Sequence, residues 1–135
     1  MWTYATCCMS QPVDHRPIEL HLLSPWESDE VVELLVATAH YHRTAAKLDL
    51  GHSVNFGRPW MGASKSEYGL VSLPYLDGPS LENLKTGSKE LKFYWLIPVT
   101  FSEVEFKKRN GLDALEELFD GTGFDFLNPG RSAVA

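Results

Sequence analysis

The sequence predicts an α+β domain in which a mixed, mainly antiparallel sheet packs against helices. Three observations predict it. Segments rich in β-branched and aromatic residues open the chain and recur at Glu90–Val99. Apolar stripes of helical period follow recognisable start signals. The two element types mix without the regular alternation of a parallel βαβ fold. At 135 residues and 44% hydrophobic content, one domain over residues 1–135 with an ample core is expected.

Trp2–Ser10 reads as a strand and Gln11–Pro17 as a turn. Ile18, Leu20 and Leu22 alternate with Glu19 and His21, so a second strand should close a hairpin. Ser24-Pro-Trp-Glu27 can cap a helix, and Ser28 before Asp29 and Glu30 is a rival start one turn later. Val31, Leu34, Leu35, Thr38, Tyr41, His42, Ala45 and Leu48 share one helical stripe, with Gly51 placed as the stop. That helix should run for about 20 residues, about 30 Å. Short strands are expected at Ser53–Phe56 and Tyr68–Tyr75. In Glu90–Val99, Leu91, Phe93, Trp95 and Ile97 line one face while Tyr94 and Leu96 cover the other, as in a strand packed on both sides. Thr100-Phe-Ser-Glu103 is a capping box, Asn110-Gly111 a stop, and Leu112–Asp120 a further helix. The tail from Gly121 carries Phe124, Phe126 and Leu127 and should pack back on the domain.

Between Leu48 and Glu82, glycines and prolines punctuate Val54, Phe56, Trp60 and Met61. Turn formers interleaved with large apolar residues predict ordered, packed loop-and-strand structure.

Composition narrows the function. The net charge of −6 disfavours nucleic acid, whose phosphates call for Lys and Arg, and favours a basic protein partner. No apolar run spans a membrane and no leader pattern opens the chain, so a cytoplasmic protein is expected. The adjacent Cys7 and Cys8 read as two buried free thiols of a reducing compartment.

Motifs for chemistry are incomplete. Gly57-x-x-x-x-Gly62 lacks the adjoining lysine of a phosphate loop. Lys85-Thr86-Gly87 resembles one penicillin-binding motif, but no serine stands three residues before any lysine, so a turn is expected. His40 and His42 sit two apart, where helical zinc pairs need four, so neither a metal nor any other cofactor is predicted. His42 should instead be a hydrogen-bonded residue at the core's edge. His52, near Asp49, Ser53 and Asn55, reads as a buried histidine bonded to its loop backbone. Lys107-Lys108-Arg109 should be a solvated helix end. Glu116, Glu117, Asp120 and Asp125 form an acidic cluster, either solvated or a dock for a basic partner.

Four stretches together resemble the suppressor of fused family in its short bacterial form. They are Trp2-Thr-Tyr-Ala-Thr-Cys-Cys-Met-Ser10; Leu48-Asp-Leu-Gly-His-Ser-Val-Asn-Phe56 with Pro59-Trp60; Leu70-Val-Ser-Leu-Pro-Tyr-Leu-Asp-Gly-Pro79; and Phe93-Tyr-Trp-Leu-Ile-Pro-Val-Thr100 with Glu103 and Asn110-Gly111-Leu112. Cys8 stands where the family commonly has glycine. Relatives carry residues upstream of this point, so the chain is expected to be a truncated product or to have its first strand covered by another segment or chain. The resemblance implies an α+β domain without known catalytic activity. Animal members hold transcription factors with the help of a second domain, for which this chain has no room. Bacterial relatives resemble immunity proteins that neutralise toxins.

Three functions follow. The first is a non-enzymatic protein-binding domain, an immunity protein against a basic toxin, with His52, Trp60, Tyr75 and Asp77 as surface contacts. The second is a hydrolase or small-ligand protein built on His52, with Asp49 or Glu67 orienting the base. The third is a structural module of a longer protein.

Overall fold

A computed structural model describes residues 1–74, 82–86 and 89–135. Its strands are β1 (Trp2–Ala5), β2 (Ile18–Ser24), β3 (Ser53–Asn55), β4 (Ser66–Ser72), β5 (Asn83–Thr86) and β6 (Lys89–Thr100). The helices are α1 (Asp29–Thr44), α2 (Phe101–Asn110) and α3 (Leu112–Thr122). The sheet runs β1-β2-β6-β4-β3, with β5 also on β6. Among the described strands only β2 and β6 pair in parallel, Ile18 opposite Lys92; the other described pairs are antiparallel. The fold is α+β, as expected.

β6 is the centre because its side chains are apolar on both faces. Tyr94 and Leu96 join Ile18, Leu20, Leu22 and Val71 in a core covered by Val31, Leu34 and Leu35 of α1. Trp95, Ile97 and Val99 face the other way, with Leu70, against Val104, Leu115 and Phe119 of α2 and α3. The tail closes this second core: Phe126 meets Trp95 edge-on at 5.3 Å and Phe124 stacks on Phe119 at 4.1 Å.

The first strand stops five residues short of its expected end. Glu19, buried on β2, accepts hydrogen bonds from Thr6 Oγ1 and from the backbone N–H of Met9 and Ser10. Residues 6–10 therefore wrap around one carboxylate instead of continuing the ladder. The wrap requires a left-handed residue, and Cys8 supplies it at φ 67, a conformation that glycine adopts more readily. Both thiols consequently lie exposed, not buried as expected, with Sγ atoms 3.7 Å apart.

α1 starts after Ser28, the later of the two signals, while the Ser24 hydroxyl donates to the Trp26 carbonyl. It ends at Thr44, short of the expected length. Past that point the Leu48 N–H is taken by His42 Nδ1 at 2.8 Å, a competitor to the helical ladder. Leu48 still reaches the core, whereas Tyr41 points outward. β5 was not expected: Lys85 and Thr86 are strand residues, and the turn expected at Gly87 lies outside the described residues. The expected Tyr68–Tyr75 strand is β4, displaced toward its start.

The capping box is present as predicted, and it does more than cap. Glu103 Oε1 accepts the Thr100 N–H, and both its oxygens receive Arg131 of the tail at 2.7 and 2.8 Å. Val134 N–H adds a further bond. Burial alone would raise the Glu103 pKa, but Arg131 and the Thr100 and Val134 N–H groups outweigh it and hold the carboxyl below its usual range.

Candidate functional site

The expected site residues divide sharply. Trp60 is 1% exposed and sits in the α1-side core, so it cannot be a surface contact. Its backbone N–H bonds Ser66 O, which folds the Gly57–Ser66 loop over the core and turns the indole inward. Tyr75 and Asp77 lie outside the described residues. His52 is exposed, contrary to the expected burial, but its expected bond to the loop exists: Nδ1 accepts the Asp49 N–H at 3.1 Å.

His52 opens onto a cleft of about 500 Å³. Three segments build it: the turn Val13–Arg16, the end of α1 with His42 and Arg43, and the Lys47–His52 loop. The loop is held from below. Gly51 adopts φ 84 and bonds Val71 across to β4. Lys107 Nζ donates to Gly51 O and Ser53 Oγ at 2.6 and 3.3 Å. Lys107 is thus half-buried, not the solvated end residue expected of α2, and burial lowers its pKa.

The cleft is densely charged and internally paired. Arg43 clamps Asp14 through both carboxylate oxygens at 2.6 and 2.7 Å, and Arg16 bonds Asp49 at 2.8 Å. Arg43 holds Asp14 well below the ordinary carboxylate value. Burial pulls Asp49 upward, but the Leu50 N–H and Arg16 outweigh it and lower it. His42 forms part of the wall, 2% exposed. Because its Nδ1 accepts from Leu48, the neutral ring carries its proton on Nε2, which has no partner. Burial lowers the His42 pKa, so the ring stays neutral near pH 7.

This wiring bears on chemistry. A catalytic histidine of the serine-triad type donates Nδ1–H to an acid and takes a proton at Nε2. In His52, Nδ1 accepts, so neither Asp49 nor Glu67 can orient it from there. The described wall also contains no serine, threonine or cysteine to act as nucleophile. Among the described residues, no three His, Cys, Asp or Glu converge as metal ligands.

Of the cleft residues, sequence reasoning found His52 and Asp49. Asp14, Arg16, Arg43 and Lys47 were missed because their pairings join segments about 30 positions apart, which no local spacing signals. No described helix is long and apolar enough to cross a membrane.

The comparisons fit the architecture. The family model for suppressor of fused protein matches residues 1–132. A suppressor of fused homologue from Neisseria gonorrhoeae superposes with a TM-score of 0.85 at 32% identity, covering 99% of this chain and 70% of that one. The Sufu–Fu complex gives 0.73 at 17%, covering 98% and 69%. Drosophila Suppressor of Fused gives 0.74 at 19%, covering 98% and 38%. No curated protein matches the sequence. The family match and the 32% identity over nearly the full chain establish that this chain belongs to the suppressor of fused family.

Proposed function

We propose that this chain is a non-enzymatic protein-binding domain of the cytoplasm that uses the His52 cleft as part of its contact face, with Tyr75 and Asp77 as further contacts. The observation that carries this reading is the wiring of His52. Its Nδ1 is committed to the Asp49 N–H, which leaves an exposed imidazole among fixed ion pairs, suited to recognition and not to general base catalysis. Support also comes from the family, in which Sufu has been crystallised with Fu. The proposed partner is a basic toxin that the domain neutralises as an immunity protein, in line with the net charge of −6.

Capture from the native host with the wild-type chain and with an Asp49→Lys/His52→Ala variant, which removes a carboxylate and the imidazole from the cleft, tests this. One basic protein should be retained by the wild type and lost by the variant. Added salt should slow its association more than it speeds dissociation. Capture of no specific protein, or equal capture by the variant, overturns the proposal. So does turnover of a small substrate that disappears with His52→Ala.

A further inference from the structure

A second cavity, of about 410 Å³, lies on the opposite side of the sheet. Its walls are aromatic: Trp95 from β6, Phe119 from α3, and Phe124 and Phe126 from the tail. Glu116 and Asp120, one turn apart on α3, and Ser72 of β4 supply its polar groups, and no described lysine or arginine lines it. Glu116 is already oriented, accepting the Ser72 hydroxyl at 3.0 Å. The nearby Arg131 stacks on Phe124 at 4.4 Å but spends its guanidinium on Glu103, so it does not neutralise this pair of acids.

Trp95 is 5% exposed and lines the cavity, so its indole is a buried reporter of whatever enters it.

Aromatic faces with two carboxylates select a cation on an apolar stem. Carboxylate held in place beside flat rings suits a planar guanidinium more than a compact ammonium. We propose that this cavity takes one arginine side chain of a bound polypeptide, the guanidinium meeting Glu116 and Asp120 and its apolar stem lying against the aromatic walls. That it belongs to a polypeptide rests on the protein-binding reading; the cavity's preference for a guanidinium does not.

The test is a ¹⁵N–¹H titration of the whole chain with N-acetyl-arginine N-methylamide, watching the Trp95 indole N–H. Trp2→Phe and Trp26→Phe, both exposed positions, identify two of the four indole signals, and proximity to the Phe126 ring separates Trp95 from Trp60. The arginine compound should move the Trp95 signal saturably, and the norleucine and glutamate analogues should not. Glu116→Gln with Asp120→Asn should weaken binding about tenfold while leaving the other indole signals in place. No movement at 50 mM, equal movement by norleucine, or unchanged binding by the double variant overturns the proposal. The result stands apart from host capture, which reads the His52 cleft and needs no arginine analogue.

Discussion

Glu103 shows how much one residue can do. It is 0% exposed, completes the α2 cap and receives the tail through Arg131. Glu103→Gln leaves Arg131 buried against a neutral amide and should cost about 3–5 kcal/mol in urea unfolding. His42 gives a pH signature. Its folded pKa is depressed below the ordinary 6.5 by burial, so its contribution is complete above pH 6.5 and declines as the pH falls from there toward the folded value. Glu103 and Asp14, also depressed, lose theirs only below their ordinary 4.5 and 3.8. Unfolding free energy measured between pH 7 and 5 should therefore fall, and His42→Gln should flatten that slope. At this scale the sequence was half legible. The cap at Thr100 is a local spacing and was read correctly. Trp60, expected at the surface, is buried, and His52, expected both as a buried loop histidine and as a surface contact, is exposed; whether a loop side chain points in or out depends on distant partners such as Ser66 O.

Elements were more legible than residues. Period-2 and period-3.6 patterns located β2, β6, α1 and α3, since these bury a continuous face. Two of the errors fall where a side chain competes with the ladder: Glu19 ending β1 and His42 ending α1. β4 carries a glycine mid-strand for a reason of contact. A Cβ on Gly69 would stand 2.7 Å from both Leu96 Cδ1 and Phe56 Cζ. Gly69→Ala must displace two packed side chains, and a loss of about 1–3 kcal/mol is expected, read as a lower urea midpoint at unchanged slope. The expected Tyr68–Tyr75 strand already contained this glycine; the two side chains that leave no room for a Cβ there were not visible in the sequence.

For the whole molecule, both cores share β6 as their common wall. The buried tryptophans report one core each, Trp60 on the α1 side and Trp95 on the α2–α3 side. In a Trp2→Phe/Trp26→Phe background, their signals should be lost at the same urea concentration, because neither core survives loss of the strand between them. Separate midpoints would contradict this. The mixed class was legible from element order, but the parallel β2–β6 pairing was not, since no short-range pattern reports which distant strands meet.

That pairing has a consequence during synthesis. Ile18 meets Lys92, and β4 also has its main partner in β6. While the ribosome is still short of Lys89, the hairpin β1–β2 and the pair β3–β4 have been made but lack the strand that joins them. Until β6 emerges, Leu20, Leu22 and Val71 lack the Tyr94 and Leu96 that complete their core, which makes the nascent chain a natural client for holdase chaperones.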